Sequence, residues 1–108
     1  MELYRQGDVL LERVSGKPKG EKQPPKGNEV ILEYGEVTGH RHRIEVQGAK
    51  DNTAMLFVEG TRQYLELCFA KDLIHEEHDT IALPAGTYKR HAQVTWSVLE
   101  QMAARVID

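Results

Sequence analysis

Four of the five histidines in this 108-residue chain fall into two tight pairs, His40-x-His42 and His75-x-x-His78. A neutral imidazole is the commonest nitrogen ligand in proteins, so rings that converge on one point would suit zinc, nickel, iron or copper. The first pair lies in "TGHRHRIEVQG", residues 38–48, which reads as a β-strand. Alternate side chains of a strand point to opposite faces. His40, His42, Ile44 and Val46 therefore share one face, and Arg41, Arg43, Glu45 and Gln47 share the other. Polar residues on a solvated edge would have stood with the arginines; these histidines stand on the apolar side, close enough to share one ion.

The second pair lies in "LIHEEHDT", where Glu76 and Glu77 separate His75 from His78. The helical zinc-protease signature HExxH needs its histidines four residues apart, and here they are three apart, so that chemistry is excluded. In a turn between strands, His-x-x-His can curl both rings inward, with Glu76 or Glu77 placed as a base acting on metal-bound water. Alone, such a segment is most simply an exposed polar turn. The coincidence of two pairs is what raises the metal reading, with His40, His42, His75 and His78 as the ligand set. His91 falls by parity with Lys89, Gln93 and Thr95 and is left out of the ligand set, to be added as a fifth contributor only if a bulge reverses the parity. The single cysteine, Cys68, has neither a disulfide partner nor a CxxC companion, so an ion would be held by imidazole and carboxylate alone.

The elements that must position these groups read as strands. "GDVLLERV", "EVILEY", "TAMLFVEG" and "QYLELCFA" carry the aliphatic runs of sheet residues. "TIALPAGTYKRHAQV" reads as two strands joined at Pro84 and Gly86. Six to eight short strands predict a mainly β protein, a small antiparallel barrel or sandwich. Residues 15–28, "SGKPKGEKQPPKGN", hold lysine, proline and glycine without one large apolar side chain, which predicts a mobile surface loop or lid. At the end of the chain, Trp96, Leu99, Met102 or Ala103, and Val106 recur at helical spacing behind Thr95, predicting a C-terminal amphipathic helix over 95–107 that covers the sheet or mediates a homodimer.

With 40% apolar and 29% charged residues, the chain is expected to be one globular domain over 1–108. A net charge of −3 argues against a surface built throughout for nucleic acid. No window has the length and apolarity of a signal peptide or membrane span, so a cytoplasmic protein with no membrane partner is expected.

Two resemblances rest on these motifs. His40-Arg41-His42 with Glu45 and Gly48 downstream, and Pro84-Ala85-Gly86 after an apolar run, resemble the two motifs of the cupin superfamily. That resemblance implies a metal held inside a small β-barrel. Glu45 is not carried over as a ligand, because its parity sets it on the other face. The segments "QGDVLL", "GEVTGHRHRI" and "HEEHDTIALPAGTY" also resemble a group of short uncharacterised bacterial proteins, which implies no activity.

The leading expectation is thus a divalent transition metal bound by the histidines, with metal-assisted catalysis on a small molecule as its extension. The competing expectation is a non-catalytic module that engages a protein or nucleic acid through Lys17, Lys19, Lys22, Lys26 and the C-terminal helix. Loss of binding on neutralising those lysines would separate the two.

Overall fold

The structure is a computed structural model and describes residues 2–35 and 39–91. Its strands are β1 (Glu2–Gln6), β2 (Val9–Val14), β3 (Glu21–Gln23), β4 (Glu29–Tyr34), β5 (Arg41–Glu45), β6 (Ala54–Glu59), β7 (Arg62–Leu67), β8 (Lys71–Leu73), β9 (Ile81–Leu83) and β10 (Gly86–Arg90). Six of them form one open sheet in the order β1-β2-β10-β7-β6-β3, while β4 pairs with β5 and β8 with β9 as two separate ribbons. Every pairing is antiparallel.

Alternation explains which faces are buried. On β4, Val30 and Leu32 are buried; on β5 the buried pair is His42 and Ile44, followed by Val46. These join Val9 and Leu11 of β2, Leu65 and Leu67 of β7, Leu73, Leu83 and Tyr88 in a single core drawn from all three sheets. Each such aliphatic side chain contributes about 1.5–3 kcal/mol by leaving water, so docking the short ribbons onto the large sheet compensates for how few hydrogen bonds they make themselves. A lone antiparallel bridge links the ribbons: Arg43 N donates to Ile74 O at 3.0 Å and Ile74 N to Arg43 O at 2.8 Å.

Several expectations are corrected. The closed, cupin-like barrel is replaced by open sheets: β1 and β3 end the large sheet without meeting, and three sheets around one core also differ from a simple two-layer sandwich. The reason lies at Pro84-Ala85, where the chain leaves β9 in one ribbon and enters β10 in the six-stranded sheet, so these strands are not a hairpin. Nor is residues 15–28 a bare loop. Its Glu21–Gln23 pairs with β6, and Lys26 and Glu29 exchange backbone hydrogen bonds at 2.9 and 3.1 Å. Edge pairing uses backbone groups alone, so it does not require apolar side chains, and all three β3 residues are exposed. Among the described residues there is no helix, and none that could cross a membrane. The predicted helix over 95–107 lies outside the described residues.

Candidate functional site

The Arg43–Ile74 bridge does more than tie two ribbons. In an antiparallel ladder the residue before one partner faces the residue after the other. His42 is thereby set opposite His75, and their ring centroids lie 4.3 Å apart at 31°. The turn between β8 and β9 brings His78 back to 4.8 Å from His75 and, stacked at 16°, to 5.9 Å from His42. His40, just ahead of β5, meets His75 edge-on at 5.7 Å. The structure thus brings together the four histidines of both pairs. Exposure is graded across them: His42 is 4% exposed, His40 and His75 are half-buried, and His78 is exposed.

Gly7, in the turn between β1 and β2, makes room for His78. Its φ of 57° already favours glycine, and a Cβ there would stand 2.5 Å from His78 Nε2.

At the buried end the arrangement is set by Gln6, which is 2% exposed. Its Nε2 donates to Leu73 O at 2.8 Å and to Asp79 O at 2.9 Å. Both amide hydrogens are then committed, so Oε1, which lies 2.9 Å from His42 Nδ1, can only accept. The His42 proton therefore sits on Nδ1, and Nε2 keeps a lone pair. Burial is the largest cause that depresses the His42 pKa, to about 4, and positive charge on His75 and His78 would add to it. A neutral ring of fixed tautomer, oriented through its other nitrogen, is the form in which histidine ligates metals. Local sequence gave no signal for Gln6, because the two residues are 36 positions apart.

His75 is held in the opposite sense. Its Nδ1 accepts from the backbone N–H of Glu77 at 3.0 Å and of His78 at 3.3 Å, so the ring closes its own turn. Glu76 faces the arginines of β5. It accepts from Arg41 N at 2.8 Å and from Arg43 Nη1 at 2.5 Å. The Arg41 backbone donor is the largest cause that holds its carboxyl down at about 2, with the Arg43 charge assisting, which makes Glu76 a poor proton acceptor at neutral pH. Glu29 takes Arg41 in a fork at 2.7 and 2.8 Å. It also lies 3.1 Å from Arg43 Nε, but off the hydrogen-bonding angle, which leaves that buried nitrogen without a hydrogen bond. Glu77 is the more exposed of the two glutamates, with Oε1 3.8 Å from His40 Nδ1. His91 bonds instead to Glu12 Oε1 at 2.8 Å.

Among the described residues, no three His, Cys, Asp or Glu side chains are already arranged to hold an ion. The rings touch, but their donor atoms do not converge. A large surface groove lined by Lys26, Asn28, Glu29, Glu45, Val46 and Gln47 contains none of the four histidines, so proximity to a cavity does not mark this site.

No curated protein and no solved structure matches the chain. One family model does, over residues 5–93, a span that includes Gln6 and all four histidines; the chain belongs to the DUF8820 family, a domain of unknown function.

Proposed function

Because membership of a family of unknown function assigns no activity, we propose from the geometry that this chain binds one divalent transition-metal ion at the four-histidine group. The observation that supports this most is the Gln6–His42 hydrogen bond, which leaves the Nε2 lone pair of a buried, neutral imidazole beside the rings of His75 and His78. Burying a histidine in this form beside other imidazoles has a ready reason if the lone pair is there to be donated. His42 is the anchoring donor, and the rings on the open side, among them the exposed His78, turn inward when the ion arrives. Zinc, nickel, iron(II) and copper all accept imidazole nitrogen. Should the ion activate water, Glu77 beside His40 is the better placed base, since Glu76 is committed to Arg41 and Arg43.

The test uses untagged full-length protein, stripped with chelator and titrated with each metal. Near-stoichiometric uptake is expected for at least one, with loss of uptake in His42→Ala. At 100 times Kd the ion adds about 2.7 kcal/mol of stability, which for a domain of this size raises Tm by roughly 10–20 °C. Wild-type protein that neither takes up metal nor gains thermal stability would overturn the reading.

A further inference from the structure

We infer that the apolar groove between β3, β4 and β6 is the docking site for the chain's own residues 92–108, with Trp96 as the anchor. The groove contains none of the four histidines, and its role does not depend on a metal.

The groove lies where the β4–β5 ribbon meets the β3–β6 edge of the large sheet. Its floor belongs to the core, since Val30 and Leu56 are buried. Its walls are open. Ile31 and Val58 are half-buried, Pro24 is exposed, and Tyr34, 57% exposed, is one of two large apolar side chains that the described residues leave facing solvent. Open apolar surface continuous with a core marks a place where something docks. The volume of about 180 Å³ is smaller than the roughly 300–1,000 Å³ of sites that enclose a small molecule, so the groove suits one large side chain.

Where the described chain ends points to the occupant. Arg90 stands directly opposite Gln63 in the β10–β7 pairing, and Gln63 lines the groove. The Arg90 guanidinium continues to β4, donating from Nη1 to Leu32 O and to Gln63 Oε1 and pairing through Nη2 with Glu33 at 2.8 Å. The chain therefore leaves β10 one strand spacing, about 4.8 Å, from a residue of the groove wall. From His91 to Trp96 it can reach up to about 17 Å. Residues 92–108 carry Val94, Trp96, Leu99, Met102 and Val106 against only Glu100, Arg105 and Asp108 as charged side chains. A tryptophan is the usual anchor of such a contact, because it buries a large area with few rotatable bonds. Its indole N–H needs an acceptor when buried, and Gln23 on the groove rim offers an amide oxygen. A tethered segment acts at an effective concentration of order millimolar, which favours the chain's own Trp96 over that of a second copy.

Trp96 is the sole tryptophan, so its fluorescence in the untagged full chain reports the docking directly. Wild-type emission is expected at shorter wavelength than in urea-unfolded protein, with weaker quenching by acrylamide, and both should be unchanged on dilution. Tyr34→Lys and Ile31→Asp each put a charge on a groove wall. Both are expected to move emission and quenching toward the unfolded values while far-UV circular dichroism stays that of folded protein. In a double-mutant cycle, Trp96→Ala and Ile31→Ala should be coupled by about tenfold in the unfolding equilibrium constant. Wild-type emission already at the unfolded position overturns the inference. So does shielding that both charged variants leave intact, which would put the indole elsewhere. Shielding lost on dilution would mean that a second copy supplies the tryptophan, and it overturns docking within one chain. Should Ile31→Asp fail to fold, nuclear Overhauser contacts of wild type decide instead: the indole protons must contact methyl groups of Ile31 or Val58, and their absence overturns the assignment.

Discussion

Gln6 controls His42 through a hydrogen bond that its own two donor bonds make one-directional. Two substitutions divide that role. Gln6→Leu removes the partner of His42 Nδ1–H and a donor to Leu73 O in a buried setting, and a donor to Asp79 O in a part-buried one, at about 1–3 kcal/mol for each unmet buried group, partly relieved by relaxation. We expect a stability loss of about 2–4 kcal/mol and a metal affinity about 10–100-fold lower, as for other residues that orient a ligating histidine. Gln6→Glu retains the acceptor for His42 and loses both donors. It should therefore lose stability as well but keep most of the affinity, so chemical denaturation and metal titration of the two variants should rank them differently. Equal losses of affinity in both would show that Gln6 acts only as packing.

At the scale of elements, the β1–β2 turn and the β8–β9 turn meet where Gly7 faces His78. A Gly7→Ala substitution has two separable costs, the strain of a side chain at φ 57° and the overlap of its Cβ with His78 Nε2 at 2.5 Å. The first is about 1–2 kcal/mol. In a double-mutant cycle with His78→Ala, the overlap disappears and the strain remains, so the two changes should be less destabilising together than their sum. Strict additivity in thermal or urea unfolding would mean that the His78 ring does not occupy this place. Short-range pattern carried much of this layout. Parity alone set His42, Ile44 and Val46 on the inner face, where they are 4%, 0% and 6% exposed. Composition led to a mobile loop over residues 15–28, and it could foresee neither the burial of Pro25 nor β3, whose pairing with β6 is a backbone matter. The open sheets were illegible for a related reason: whether β9 continues beside β10 or leaves for a ribbon depends on partners distant in sequence, and motif likeness to a barrel family is blind to that.

Across the whole molecule, the candidate site is assembled from three sheets that share a core but few hydrogen bonds. Gln6 comes from the large sheet, His42 from the β4–β5 ribbon, and His75 and His78 from the turn of the β8–β9 ribbon. None of the three alone holds a pair of rings together with the residue that orients them. Ligation by His42 and His78 would add cross-links between ribbons that are otherwise joined by the Arg43–Ile74 backbone bridge and the Glu76 contacts with Arg41 and Arg43. Local openings of such ribbons need less free energy than global unfolding, and they set the exchange rates of the amides they expose. Metal should therefore slow hydrogen exchange most at Arg43 and Ile74, whose N–H groups form that bridge, and in the turn from His75 to Asp79. Amides central to the large sheet, such as those of Leu65 and Tyr88, are expected to exchange through wider opening and to slow only as far as global stability rises. Exchange measured with and without zinc distinguishes this from a surface-bound ion: uniform slowing, or slowing confined to the exposed His78 turn with Arg43 unchanged, would mean that the ion does not join the ribbons.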